Sequence, residues 1–180
     1  MKTERLHVLA DRPAPSGADL VLYWMQASVR VDDNLALNYA AREASRLRLP
    51  LLVFFGIVLD YPDASARHYK FLFDGLKDVE ARLNGMDIPF ILRIGNPVDS
   101  ILDLSRRAVI TVLDCGYLRI QRYWRQDFTS RTPGPAVMVE DNVCLPVLSA
   151  YGKPAVGARV IRPRMEKNRD EFLSDSINPP

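Results

Sequence analysis

Short apolar runs separated by amphipathic segments constrain this chain more than any other feature: Leu20 to Met25, Leu51 to Ile57, Phe90 to Ile94, Val109 to Leu113 and Val137 to Val139. Each is apolar at successive positions rather than alternate ones, as in a strand covered on both faces. Between the first two, Leu37, Ala40, Ala41, Ala44 and Leu47 fall at helical spacing, with Asp32 or Asp33 as N-cap and Pro50 closing the connection. Tyr69, Leu72, Phe73, Leu76, Val79 and Leu83 make a second helical stripe opposite Lys70, Asp74, Lys77 and Arg82, and Asn84-Gly85 supplies its stop. Gly95-Asn96-Pro97 turns the third strand into a short helix reaching about Arg106, and a fourth helix runs from near Leu118 to Phe128.

Such alternation predicts an α/β fold: a Rossmann-like open sandwich, a five-stranded parallel sheet with helices on both faces, and ligands bound beyond the carboxyl ends of the strands. Residues 1–18 read as an N-terminal lead-in and 19–142 as the α/β domain. Residues 143–180 read as an extended linker and C-terminal segment. Within it Leu145 to Val156 is interrupted by Pro146, Gly152 and Pro154, Gly157 to Pro163 continues the linker, Arg164 to Leu173 reads as a charged helix, and Asn178-Pro179-Pro180 as a frayed end.

A chain of 180 residues, 48% hydrophobic, can close one ordinary domain without a covalent staple. Its 24 basic and 22 acidic residues leave a net charge of +2, which excludes a dominant electrostatic drive toward nucleic acid. Cys115 and Cys144 form no CxxC pair, and neither His7 nor His68 has a second ligand in register, so no metal site is expected. Neither a signal-peptide pattern nor an apolar run near the ~20 residues of a membrane span is visible, and a soluble cytoplasmic protein is expected. The absence of GxGxxG, GxxxxGK[ST] and GxSxG removes the usual dehydrogenase, NTPase and hydrolase readings, and no catalytic constellation stands out.

Chemistry concentrates in the loop after the first strand, Gln26 to Asn34. Gln26 can hydrogen-bond a ligand, Arg30 can pair with an anion, and the following helix N-terminus adds positive potential. A purely structural reading stands beside it, with Arg30 paired to Asp32 or Asp33 and Asn34 tightening the cap. Trp24 is either a stacking surface at the strand tip or core. Trp124 lies where cations alternate with aromatics, from Tyr117 to Arg125, a pattern of a nucleic-acid or chromophore contact and equally of a solvated amphipathic helix.

Tyr23-Trp24-Met25-Gln26, then Arg30-Val31-Asp32-Asp33-Asn34 and Leu35-Ala36-Leu37, resembles the first strand and helix of the photolyase and cryptochrome family, closest to the class II cyclobutane pyrimidine dimer photolyases. Arg67-His68-Tyr69 with Phe71, Gly75-Leu76 and Val79-Glu80 resembles that family's second helix, and Ile88-Pro89-Phe90, Leu118-Arg119 and Gly157 to Pro163 follow in order. The likeness covers about residues 19 to 173. The chain departs from the class II pattern at Ala27-Ser28-Val29, where Arg-Asp-Gln is usual, at Leu35 in place of Trp, and at Val147-Leu148 in place of Cys-Trp.

The resemblance implies an N-terminal α/β antenna module that packs, in cis or in trans, against a helical FAD-binding domain. It also implies a deazaflavin or folate antenna, FAD only with the helical domain, contact with DNA only indirectly, and no membrane partner. The chain alone is not expected to repair DNA. The implied cofactor pocket lies at the strand tips near Trp24, Gln26, Arg30, Asn34, Phe55, Gly95 and Asp114. Two alternatives remain open: a cofactor-free docking module acting through Arg159 to Arg164, and a generic nucleotide-binding α/β domain.

Overall fold

The computed structural model describes residues 3–147 and 156–173. After a 3-10 turn at Thr3–Arg5, the elements run β1 (Leu6–Ala10), β2 (Leu20–Trp24), α1 (Leu35–Leu47), β3 (Leu51–Ile57), α2 (Ala66–Asn84), β4 (Phe90–Ile94), α3 (Pro97–Ser105), β5 (Ala108–Asp114), α4 (Arg119–Arg131), β6 (Ala136–Val139) and α5 (Ala158–Leu173). The strands form one sheet in the order β1-β6-β5-β2-β3-β4.

The apolar runs become strands because both their faces are covered. Val21, Tyr23, Val53 and Phe55 point into a core shared with α1 and α2, through Leu37, Ala40, Leu76, Val79 and Leu83. Leu22, Trp24 and Phe54 point the other way, against Val98, Ile101 and Phe128 of α3 and α4. All of β2 is buried, and its large side chains each contribute roughly 1.5–3 kcal/mol by leaving water.

The sheet has six strands, not five, and it is not wholly parallel. The added strand is β1, drawn from the expected lead-in, which runs antiparallel to β6 with Leu6 opposite Val139 and Val8 opposite Val137. It is an edge strand in which only Ala10 is buried, so it lacks the continuous apolar run that marks the others. Two further corrections concern helix boundaries. The N-cap of α1 is Asn34, whose side chain accepts from the Leu37 N–H at 2.8 Å, not Asp32 or Asp33. At the other end, α5 begins at Ala158 and carries Pro163 inside it, so 158–163 is helical where a linker was expected. Helix α5 docks through Phe172, 8% exposed, whose ring lies 5.4 Å from the Arg5 guanidinium carbon. The remainder of the Leu145 to Val156 stretch from Leu148 to Ala155, and Asn178-Pro179-Pro180, lie outside the described residues.

Strand β2 sits where the chain changes direction across the sheet, with β3 and β4 on one side and β5 and β6 on the other. This is the topological position at which α/β sheets bind ligands. Helix α2 then shapes the site: its 19 residues span about 28 Å, whereas the five residues of β4 cover about 17 Å, so its first turns overhang the carboxyl edge of the sheet. Only its second half, Leu76, Val79 and Leu83, is buried.

Candidate functional site

The overhang encloses a cavity of about 220 Å³ at the carboxyl ends of β2 and β3. Trp24, Met25 and Gln26 form one side, and Phe55 and Gly56 of β3 another. His68, Tyr69 and Leu72 of α2 roof it, and Gln121 and Trp124 of α4 close it opposite. The walls are mainly aromatic and apolar, with a few polar groups.

Local hydrogen bonding fixes these walls. The Tyr69 hydroxyl donates to the Val58 carbonyl at 2.8 Å and accepts from the Tyr61 N–H at 3.1 Å, which ties the loop after β3 to α2. Tyr61 then meets Trp124 edge to face, with ring centroids 6.1 Å apart. Trp24 is held edge to face on Phe128 at 5.5 Å and is 1% exposed, so it is at once core and cavity wall. His68 Nδ1 accepts from the Ser65 N–H at 2.9 Å and caps α2, which places the proton of its neutral ring on Nε2. Gln121 Oε1 likewise accepts from the Leu118 N–H at 3.2 Å and caps α4.

Gly56 is small for a reason visible in its surroundings. A Cβ there would lie 2.5 Å from the Pro97 Cβ, so glycine is what allows the first turn of α3 to rest on β3 beneath the cavity.

Gln26 is the exception among these satisfied groups. Its amide nitrogen and oxygen are both buried, and neither has a hydrogen-bond partner among the described residues. Leaving such an amide unpaired costs roughly 1–3 kcal/mol.

The structure separates the sequence-predicted residues into groups. Trp24, Gln26 and Phe55 line the cavity together. Gly95 lies in an adjoining shallow groove with Asn96, Tyr123 and Asp127, and its φ of 126° is one that side-chain-bearing residues rarely adopt.

Arg30, Asn34 and Asp114 instead build the loop from within. Asp114, 1% exposed, accepts from the backbone N–H groups of Ser28 at 2.8 Å, Ala27 at 3.0 Å and Gln26 at 3.1 Å. The Tyr23 hydroxyl donates to Asp114 at 3.2 Å and accepts from Asn34 Nδ2 at 3.1 Å. Burial pushes the Asp114 carboxyl up from its ordinary range, with the amide donors pulling the other way. Burial, reinforced by the Asp114 charge, also pushes the Tyr23 phenol well above its ordinary value.

Arg30 is already paired. It donates to Asp141 at 3.2 Å and to Asn142 Oδ1 at 2.8 Å, rather than to the side chain of Asp32 or Asp33. Asp141 also accepts the Leu35 N–H at 2.8 Å, so the start of α1 holds a carboxylate as well as the Asn34 cap. The charges that suggested an anion site are thus spent on one another.

Sequence reasoning did not include Tyr61, His68, Tyr69 or Gln121 among the expected site residues, and it left Trp124 open between a chromophore or nucleic-acid contact and a solvated helix. They come from helices and loops distant in the chain, and only the overhang of α2 brings them to one place. The Arg67-His68-Tyr69 and Tyr123-Trp124 clusters were the available signals.

The family model for DNA photolyase matches residues 21–180. A deoxyribodipyrimidine photo-lyase of Methanothermobacter thermautotrophicus is 36% identical over 170 residues, which are 94% of this chain and 38% of that protein. One of Potorous tridactylus is 33% identical over 158 residues, 86% of this chain and 30% of that protein. The chain therefore spans about a third of the length of these curated relatives. Among solved structures, a universal stress protein in complex with cAMP aligns over 71% of this chain and 100% of its own, at 17% identity and a TM-score of 0.48.

Proposed function

The chain belongs to the DNA photolyase family, and on that premise we propose that it is the light-harvesting module of a deoxyribodipyrimidine photo-lyase, of the class II type, with the cavity as its antenna site. The observation that carries the reading is the aromatic-walled cavity over β2 and β3, into which the overhang of α2 brings Tyr69 and His68 opposite Trp124. Such walls suit a flat, fused heteroaromatic ring.

Trp24, Phe55 and Trp124 would exclude water from the ring, and the Tyr69 bridge to Val58 and Tyr61 would hold the roof in place. A deazaflavin or a reduced folate is the class of antenna proposed. Bound there, it supplies near-ultraviolet and blue absorption, and the excitation would pass to FAD in a helical domain provided in cis or in trans. Repair of dimers in DNA would belong to that assembly, with this chain touching DNA only indirectly.

A nucleotide held by its phosphates is less well accommodated, because Arg30 and the start of α1 are already matched to Asp141. The test is an absorption and emission titration of the purified chain with a deazaflavin and with a reduced folate. Binding should shift the absorption band and raise the emission anisotropy. Unchanged spectra with both at saturating protein, together with stabilisation by AMP, would replace this reading with the nucleotide one.

A further inference from the structure

The sheet has two edges, and they differ. At β1 the pairing register shifts between Val8 and Ala10, an irregularity of the kind that blunts an edge. At β4 the ladder with β3 runs without a shift from Val53 opposite Phe90 to Ile57 opposite Ile94, and no strand among the described residues pairs with its outer side. The Pro89 carbonyl accepts from the Val53 N–H at 3.0 Å and the Gly95 N–H donates to the Ile57 carbonyl at 2.8 Å. By the alternation of a strand, Ile91 and Arg93 therefore turn their backbone groups to β3, and Phe90, Leu92 and Ile94 turn theirs outward. These three positions hold neither charge nor proline, and the Leu92 and Ile94 side chains are 39% and 67% exposed. Charge, proline and bulge, the usual protections of an edge, are all missing.

Helix α2 runs beside this edge. Arg82 bonds Asp32 and Gly75 lies against Val29, which turns one flank of the helix toward the loop between β2 and α1. The opposite flank carries Phe73, Lys77 and Glu80 at helical spacing and overlooks the free side of β4. The ion pairs of α2 among the described residues are made by Lys70 and Arg82, with Asp74, Asp32 and Asp78, and leave out Lys77 and Glu80. The turn in which the Ile88 N–H bonds the Leu83 carbonyl sets helix and strand in register. From Phe90 to Leu92 the strand advances roughly 7 Å, equivalent to about 4–5 residues back along the helix from Leu83. Leu92 is thus level with the midpoint between Lys77 and Glu80.

We propose that β4 is a self-association edge, to which a second copy of this chain adds its own β4 antiparallel, about a two-fold axis at Leu92, so that the sheet continues from one copy into the next. Phe90 of each copy then exchanges N–H···O bonds with Ile94 of the other, and Leu92 with Leu92. The exposed apolar side chains meet as cross-strand pairs on one face. The same axis sets Lys77 of each copy against Glu80 of the other, a charge match that an isologous contact makes twice. An extended peptide from another protein would satisfy the backbone equally, but only a second copy supplies this pattern on α2. The contact, a five-residue strand and one helix flank, falls below the roughly 1,200 Å² of stable interfaces, so a weak dimer is expected.

The experiment follows the full chain by sedimentation and by amide hydrogen exchange from about 1 μM to about 1 mM, the range in which a weak contact forms. Mass should rise toward the dimer, and exchange at Phe90, Leu92 and Ile94 should slow with concentration while Ile91 and Arg93 stay protected throughout. Leu92→Lys should remain monomeric. Glu80→Lys, at an exposed helix position, should weaken association by at least about tenfold, because it makes both charge pairs repulsive. The double variant Lys77→Glu with Glu80→Lys should restore it, since the exchange recreates both pairs, and circular dichroism at low concentration checks that each variant is folded.

A monomer at every concentration would overturn the proposal. So would a dimer that leaves exchange at Phe90, Leu92 and Ile94 unchanged, or a double variant that associates as weakly as Glu80→Lys alone. Slowing of those amides by an extended peptide but not by the chain's own concentration would likewise overturn it and assign the edge to a peptide ligand.

Discussion

Asp114 shows how one residue can organise a site without lying in it. Three consecutive backbone N–H groups, from Gln26 to Ser28, converge on its carboxylate, so the loop leaving β2 is positioned by a side chain at the end of β5. Asp114→Asn keeps the shape but turns an acceptor into a donor facing these amides. It should cost about 1–3 kcal/mol in urea unfolding and weaken ligand binding through misplacement of the loop leaving β2. The neighbouring phenol predicts a pH effect. Tyr23 is pushed up by burial and by Asp114, and Tyr117 is pushed up by burial and by its 2.9 Å hydrogen bond to buried Glu140. A raised phenol contributes stability that is fully present below its unfolded value of about 10 and is lost as pH rises toward the folded value. The chain should therefore unfold cooperatively at alkaline pH, and these phenolates should appear in the ultraviolet together with loss of helical circular dichroism. Graded ionisation of both before any unfolding would contradict the assigned contacts.

Among the elements, the strands and helices covered on a continuous face were legible from periodicity, and the edges were not. Strand β1 is the clearest case. Its His7 Nε2 lies 2.7 Å from Glu140 Oε1, and the preceding Arg5 donates to the Glu140 and Val143 carbonyls, both at 2.9 Å. Glu140 is fully buried, so Arg5 and His7, within the stretch expected as a lead-in, are the complement of a group far along the chain. No local pattern encodes such a partner. The same limit applied to the site: Trp24, Gln26 and Phe55 were readable from the strand tips, whereas His68 and Tyr69 needed the overhang of α2 to be known. The contact of β3 with α3 gives an element-scale prediction. Gly56→Ala puts a methyl 2.5 Å from the Pro97 Cβ, a contact that must separate the strand from the start of α3. A loss of about 1–3 kcal/mol is expected, as for other overpacked sites, along with weaker binding of the proposed antenna because Gly56 and Pro97 line the cavity. Thermal melts and a ligand titration of the variant check both effects, and a fully wild-type Gly56→Ala would mean that this contact does not shape the cavity.

On the scale of the whole molecule, the distribution of charge decides which partner the chain meets first. Arg159, Arg162, Arg164 and Lys167 cluster on α5, and that group could be taken for a DNA-binding face. Yet the net charge is only +2, and several other cations of the fold face carboxylates, as Arg107 does Asp19 and Arg131 does Asp99. Long-range attraction of a polyanion is therefore weak. Helix α5 also presents apolar surface beside its cations: Val160 and Met165 are 40% and 44% exposed, and Ile161, Met165 and Leu173 line a mainly apolar groove with Cys144 and Leu145. A surface of this mixed kind suits a protein neighbour better than a phosphate backbone. The expected outcome is that duplex DNA, with or without a pyrimidine dimer, shows no saturable binding to the isolated chain at physiological salt beyond the non-specific range of roughly 10⁻⁴–10⁻⁶ M. A helical FAD-binding domain of a photolyase, added to the antenna-loaded chain, should instead quench the antenna emission and sensitise its own flavin. Tighter DNA binding that weakens steeply with salt and disappears on replacing the α5 arginines would reverse this order, making α5 a direct DNA contact.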